Sequence, residues 1–272
     1  MRLYRLFFTF AISLAIAACQ KPSTITPDID KDELLSEQVN QQVIVDNINA
    51  QGGQPKRWKN HKNMRGQFES VGEKIEKAGA EVCRGLHLEK NGCYYYFRMS
   101  RDEEVNSKAD GKNIVIFTGM MRFVESDDEL AVVMGHEFTH NLMHHNKSQG
   151  YNATWGMLIG AVGDELANIH GINTDWEIAS AGAEIGALTY GSDFEREADY
   201  IGLYVMARAG YDIKKAPLLW RRMSVEDPEG IYNSVTHPSN AERFISLQKT
   251  ISEIEFKRKN HIPLLPDLKI GE

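Results

Sequence analysis

The sequence predicts a helix-rich α+β domain in which a small, mostly antiparallel sheet lies beside one central helix. Three observations carry that expectation. Met64, Phe68, Val71, Ile75, Ala78 and Val82 recur at helical spacing. Residues 94–97 (Tyr-Tyr-Tyr-Phe) and 113–118 (Asn-Ile-Val-Ile-Phe-Thr) are rich in strand formers. Ser126-Asp127-Asp128-Glu129 is a capping box that opens a further helix.

In chain order, the N-terminus does not read as part of the fold. Arg2 and Arg5 precede a mostly apolar run over 6–16, then Ala17, Ala18 and Cys19. Charged, apolar and small-residue zones in that order predict a secretory signal peptide over 1–18, too short to span a bilayer comfortably. The string Ile-Ala-Ala-Cys resembles the bacterial lipobox, which implies cleavage before Cys19, a lipid on that cysteine, and a chain facing the periplasm. Gln20, in place of an Asp, points to the outer membrane rather than the inner one. Residues 19–56 open with Pro22 and Pro27 and close with Gly52, Gly53 and Pro55, and read as a lipidated tether. Export leaves Cys83 and Cys93, an even pair expected to form a disulfide worth about 2.5–3 kcal/mol.

The main domain is expected over 57–258, with a C-terminal tail over 259–272. Asp110-Gly111 has hairpin chemistry ahead of the second strand. The helix launched at Ser126 runs through Leu130, Val133 and Met134 into a His-rich stretch, and Asp127 and Asp128 suit the positive end of its dipole. Residues 153–190 are rich in Gly and Ala but carry Asp164, Glu165, Asp175 and Glu177, which argues against a membrane span. They read as closely packed helices or as a covering loop. A helix from about 193 to 209 stops at Gly210, and 212–224 and 238–258 read as helices. The formal net charge of -7 suggests no basic face and no nucleic-acid partner.

The chemistry centres on His136-Glu137-Phe138-Thr139-His140. On a helix, residues four apart lie about 40° apart around the axis, so both imidazoles project from one face and can share a metal. Glu137 is offset by about 100°, within reach of a water on that metal, which it would deprotonate as general base. The pattern is that of a zinc-dependent peptidase, with about one Zn2+ per chain. A catalytic zinc site needs a third protein ligand. Met143 and Asn146 stand where a Gly and a third His would be required to continue the motif locally. His144 and His145 read as solvated residues near a helix C-terminus. A carboxylate on a second helix is the alternative, and Phe194-Glu195-Arg196-Glu197-Ala198-Asp199 offers one.

His-Glu-Phe-Thr-His followed by Glu-Arg-Glu-Ala-Asp resembles the gluzincin metalloendopeptidases. That family includes the CAAX prenyl proteases, HtpX-like proteases, mitochondrial Oma-type peptidases and the periplasmic lipoprotein and assembly-factor proteases of Gram-negative bacteria. The resemblance runs from about residue 64 to 245, and this chain looks like the soluble, exported branch. It implies that Glu195 is the third zinc ligand and that Asp199 orients a ligand histidine from behind. It further implies that Ile114, Val115, Ile116, Phe117, Thr118 and Gly119 form an edge strand that binds substrate by strand addition. Thr236-His237-Pro238, with Arg243, resembles a further family segment that would bring His237 near the metal, to steady the oxyanion or cap the zinc. Helical geometry agrees on the acid pair: Glu195 and Asp199 share a flank, while Glu197 and Asp199 point about 200° apart.

The expected substrates are extended or unfolded envelope proteins, misfolded or misassembled, with envelope assembly machinery as a possible partner. A chaperone-like assembly factor using the same cleft, with proteolysis gated, is the competing reading. The intact Glu137 argues against binding alone.

Overall fold

A computed structural model describes residues 20–38, 40, 63–188, 191–226 and 241–269. The chain divides into two compact units, one formed by 1–22 with 144–194 and one by 23–143 with 195–272. The fold is α+β and helix-rich, as the sequence predicts.

In the larger unit, helix α1 (Met64–Gly85) starts where the Asn63 side chain accepts from the Gly66 N–H, and it buries Phe68, Val71, Ile75, Ala78 and Val82 along one face. Cys83 at its end is bonded to Cys93 across a sequence separation of 10, with Cα atoms 5.7 Å apart. Three strands follow: β1 (Tyr96–Ser100), β2 (Ser107–Ala109) and β3 (Asn113–Phe117). Their order is β1-β3-β2, with β1 parallel and β2 antiparallel to β3, so the sheet is mixed. The Asp110-Gly111 turn closes the β2–β3 hairpin. Gly111 takes φ +89, and the Asp110 carboxylate accepts from the Lys112 and Asn113 N–H groups at 2.9 and 2.6 Å.

Short helix α2 (Thr118–Phe123) leads to α3 (Asp127–Leu142). Ser126 Oγ accepts from the Glu129 N–H at 3.2 Å, as a capping box requires. The return bond is shifted by one residue: Glu129 accepts from the Glu125 N–H at 2.6 Å and also pairs with Arg222 at 2.8 and 2.9 Å. Nearly the whole of α3 is buried, and Phe138 meets Tyr95 edge to face at 5.2 Å. The Asn141 side chain ties α3 to the hairpin, accepting from the Gly111 N–H at 2.6 Å and donating to the Asn113 carbonyl at 3.0 Å.

The next two helices, α4 (His145–Ile169) and α5 (Glu177–Leu188), form the smaller unit. They pack antiparallel through small residues. A Cβ on Gly156 would strike the Gly182 carbonyl, on Gly160 that of Ile178, and on Gly186 that of Asn152. Over 153–188 the Gly/Ala-rich segment is thus a pair of packed helices. His145, expected to be solvated, is buried and stacks on Phe194 with centroids 4.8 Å apart; a ring of that size has an aromatic face to cover it here, whereas a polar helix end would have left it in water.

Helix α6 (Gly191–Arg208) is followed by Gly210 at φ +85, and the Tyr211 N–H donates back to the Met206 carbonyl at 3.1 Å. Helices α7 (Lys215–Glu226) and α8 (Ala241–Lys259) complete the larger unit. The residues expected to form a tether are packed over the part of 23–38 that lies in this unit. Thr24 is fully buried and bridges to Leu268, the Ile25 N–H donates to the Asp267 carbonyl at 3.0 Å, and 31–38 is helical. Proline-rich sequence signalled an extended path, but extended backbone pairs with the C-terminal segment instead of standing free.

Candidate active site

Two helices remote in sequence supply the site. Helix α3 carries His136, Glu137 and His140, and α6 carries Glu195 and Asp199. They approach closely at two glycines: a Cβ on Gly202 would lie 3.1 Å from the backbone of both Gly135 and His136. That contact sets the histidine side of α3 against the acidic side of α6.

The result is a tight triangle. His136 Nε2 and His140 Nε2 are 3.0 Å apart, and each lies 3.2 Å from a Glu195 carboxylate oxygen. Among the described residues this is the one group of His, Cys, Asp and Glu side chains placed to share a metal ion. Tetrahedral ligands at about 2.0–2.1 Å from a zinc would stand roughly 3.3 Å from one another, so the triangle fits such an ion. Charge gives a second test of fit. Glu137, Glu195 and Asp199 are buried with one guanidinium, Arg243. Three carboxylates outnumber that single guanidinium, and a divalent ion would offset the excess negative charge.

Behind the triangle, His136 Nδ1 lies 2.9 Å from Asp199 Oδ1. A carboxylate only accepts, so Nδ1 carries a proton, and Nε2 is left as the nitrogen that would bind a metal in the triangle. Arg243 grips Asp199 at both oxygens, 2.7 and 2.8 Å, and lies 3.3 Å from Glu195. Burial works to raise the Asp199 pKa, but Arg243 and then His136 hold it below the usual carboxylate range. Burial alone would lower the His136 pKa; hydrogen bonds to Asp199 and Glu195 outweigh it and push it up to about 9. A metal entering the triangle therefore displaces a proton. Trp220 covers this corner, 5.1 Å from the His136 ring and 4.2 Å from the Arg243 guanidinium.

Glu137 is fully buried, and the Ser107 hydroxyl donates to its Oε1 at 2.8 Å. Ser107 belongs to β2, so the edge strand beside the site is β2. The expectation of an edge strand over 114–119 is corrected: β3 lies at the centre of the sheet, paired on both sides, and Ile114, Ile116, Phe117 and Gly119 are buried. Thr118 and Gly119 already belong to α2. The apolar run Ile-Val-Ile-Phe marks a strand covered by its neighbours, whereas Ser-Lys-Ala has little strand propensity and gave no signal.

Of the residues singled out in the sequence, the structure brings His136, Glu137, His140, Glu195 and Asp199 together. Cys19 and His237 lie outside the described residues. Sequence reasoning missed Ser107 and Trp220, and gave Arg243 no role beyond its place in a motif. Glu197 also has a definite partner: its Oε1 accepts from the Ser23 N–H, the Thr24 N–H and the Thr24 hydroxyl at 2.6, 2.5 and 2.8 Å.

An α+β fold with two histidines and a glutamate converging from neighbouring helices, and a glutamate beside them, defines a metallopeptidase. The chain belongs to peptidase family M48, whose model matches residues 69–251. It is 34% identical over 132 residues to the mitochondrial metalloendopeptidase OMA1 of Arabidopsis thaliana, covering 48% of this chain and 26% of the relative. Against OMA1 of Saccharomyces cerevisiae the figures are 30% over 146 residues, with 51% and 41% covered. It is 26% identical over 157 residues to the beta-barrel assembly-enhancing protease of Escherichia coli (strain K12), covering 53% of this chain and 32% of the relative. The matched stretch thus spans less than half the length of each of these relatives.

Proposed function

We propose that this chain is a zinc metalloendopeptidase that cleaves extended, misfolded or misassembled proteins of a bacterial cell envelope, held there by a lipid on Cys19. The observation that carries the catalytic part is the convergence of His136, His140 and Glu195 from two helices, with Asp199 behind His136. In this reading those three residues hold one Zn2+ per chain. The ion, when bound, polarises a water molecule and the scissile carbonyl. Glu137 takes the proton from the attacking water and passes it to the leaving nitrogen as the peptide bond breaks. The Ser107 hydroxyl fixes the Glu137 carboxylate for that transfer. Asp199, kept ionised by Arg243, holds the His136 ring in the tautomer that presents Nε2. An extended substrate added alongside β2 would run past Glu137, because Ser107 lies on that strand.

The name of the Escherichia coli relative, a beta-barrel assembly-enhancing protease, supports envelope proteins and their assembly machinery as substrates and partners. The order of charged, apolar and small residues ahead of Cys19 supports export and lipidation, and the Cys83–Cys93 bond suits an oxidising compartment. No helix among the described residues is long and apolar enough to cross a membrane. Casein hydrolysis tests the reading directly. Turnover should disappear in chelator and return with about one equivalent of Zn2+; hydrolysis that persists in a verified metal-free protein would overturn it.

A further inference from the structure

The α4–α5 hairpin presents an apolar surface that the peptidase reading does not use. Among the described residues, nine of the seventeen exposed large hydrophobic side chains lie between Tyr151 and Ile185. They are ordered. Tyr151, Leu158, Val162 and Ile169 follow one another at spacings of seven, four and seven, which places them within about 40° of one line along α4. The glycines that pack α4 against α5 lie on the other side of the helix, so this stripe faces away from α5. Leu158, Val162 and Ile169 are 51%, 59% and 69% exposed. At the tip, Trp176 is 69% exposed, and Asp175 and Trp176 both take positive φ, 45° and 67°, a conformation that L side chains adopt at a cost.

The polar residues fit the same picture. Asp164 is turned inward, accepting from the Thr174 hydroxyl and from the Ile178 and Ala179 N–H groups at 3.3 and 2.9 Å, so it closes the hairpin and does not charge the stripe. Glu165 and Glu177 are exposed, and Glu165 lies on the flank of the stripe, about 40° from Tyr151 and between Val162 and Ile169, so its carboxylate would stand at headgroup level. From Ser148 to Tyr190 there is no Lys or Arg. A second copy of this face would bring like-charged margins together, and helix surfaces offer no backbone edge for an extended polypeptide. A lipid surface needs neither. The chain's own path points to it. The Gln20 N–H donates to Asn152 Oδ1 at 2.8 Å and the Asn152 Nδ2 donates to the Gln20 carbonyl at 3.4 Å, so the residue after Cys19 is clasped on α4 one position from Tyr151.

We propose that the hairpin is a membrane-surface element. It lies along a bilayer with Tyr151, Leu158, Val162, Ile169 and Trp176 at the boundary between headgroups and acyl chains, beside the point where the chain leads to Cys19. From Tyr151 to Ile169 the stripe is about 27 Å long, so a contact running from the anchor point to the tip lays α4 along the surface rather than across it. The choice of a lipid surface as the occupant rests on the lipid-anchor reading; the exposed apolar face itself does not. Lys147 at the start of α4 is the only basic residue of the hairpin besides histidines, so attraction comes chiefly from apolar burial and is not screened away by salt.

The test uses the mature chain from residue 19 with Cys19→Ser, so that no acyl chain is present, floated with neutral phosphatidylcholine vesicles at about 0.1 M and about 1 M salt, where the Debye length falls from roughly 10 Å to 3 Å. The chain should float equally at both. Combined Leu158→Glu, Val162→Glu, Ile169→Glu and Trp176→Glu substitutions should lower vesicle partitioning by about tenfold or more while leaving circular dichroism and casein hydrolysis unchanged. Brominated lipid should quench tryptophan emission in the parent chain, less in Trp176→Phe, and much less when Trp155, beside Tyr151 on α4, is also replaced by Phe. An unacylated chain that stays off neutral vesicles, binding that requires anionic lipid, or an unaltered quadruple variant would overturn the proposal. So would a quadruple variant whose only change is lost self-association without vesicles. The mass of the natural protein reads acylation separately, so the anchor and the hairpin can fail independently.

Discussion

On α6, Glu195 and Glu197 point to different neighbours. Glu195 meets both histidines at 3.2 Å, whereas Glu197 takes three hydrogen bonds from Ser23 and Thr24. Glu195→Gln should therefore weaken Zn2+ binding on the order of 100-fold or more, since a neutral amide replaces a charged ligand. Glu197→Gln keeps an acceptor oxygen for the same donors and should leave metal affinity unchanged, at a cost of about 1–2 kcal/mol in stability. Zinc titration with parallel denaturant melts checks both, and equal affinities would contradict the assignment. The selection of Glu195 with Asp199 was legible in sequence because a spacing of four puts two carboxylates on one flank. Arg243 was not, because a lone Arg on an amphipathic helix reads as solvated, and its partner Asp199 is 44 residues away. Ser107 was illegible for the same reason: its only distinction is a contact 30 residues along the chain.

Helix ends were read closely because they depend on local chemistry. Ser126 caps α3, Gly210 follows the end of α6, and each does so with backbone bonds its own neighbours supply. Strand roles were not readable, since centre and edge depend on pairing between segments, and β2 has only three residues. The crossing of α3 and α6 is set by Gly135 and Gly202, where backbone meets backbone and no side chain can rotate aside. Gly202→Val should force the helices apart and shift His136 relative to Glu195. We expect a loss of about 1–3 kcal/mol in stability and at least tenfold weaker zinc binding. Denaturant titration and metal titration would show it, and unchanged zinc affinity would mean that the crossing does not position the site.

Across the whole molecule, helical periodicity and runs of strand formers indicated an α+β chain but not its division into two units. Gly and Ala over 153–190 are compatible with close helix packing or with a covering loop, and only the mating of Gly156 with Gly182 and Gly160 with Ile178 distinguishes them. The part of the expected tether in the larger unit is bound because its backbone finds partners at the C-terminus, a pairing that spans most of the chain. The Cys83–Cys93 loop is short, so replacing both cysteines by Ala should cost about 2.5–3 kcal/mol, and the melting temperature should fall by roughly 5–10 °C. An unchanged melt would show that the bridge adds nothing. The central claim is that Glu137 is the base of a metal-dependent peptidase, and casein turnover by Glu137→Gln with its zinc content measured tests it most directly. The account predicts retained zinc, about one per chain, and turnover reduced on the order of 100- to 10,000-fold; normal turnover by the zinc-loaded variant would contradict it.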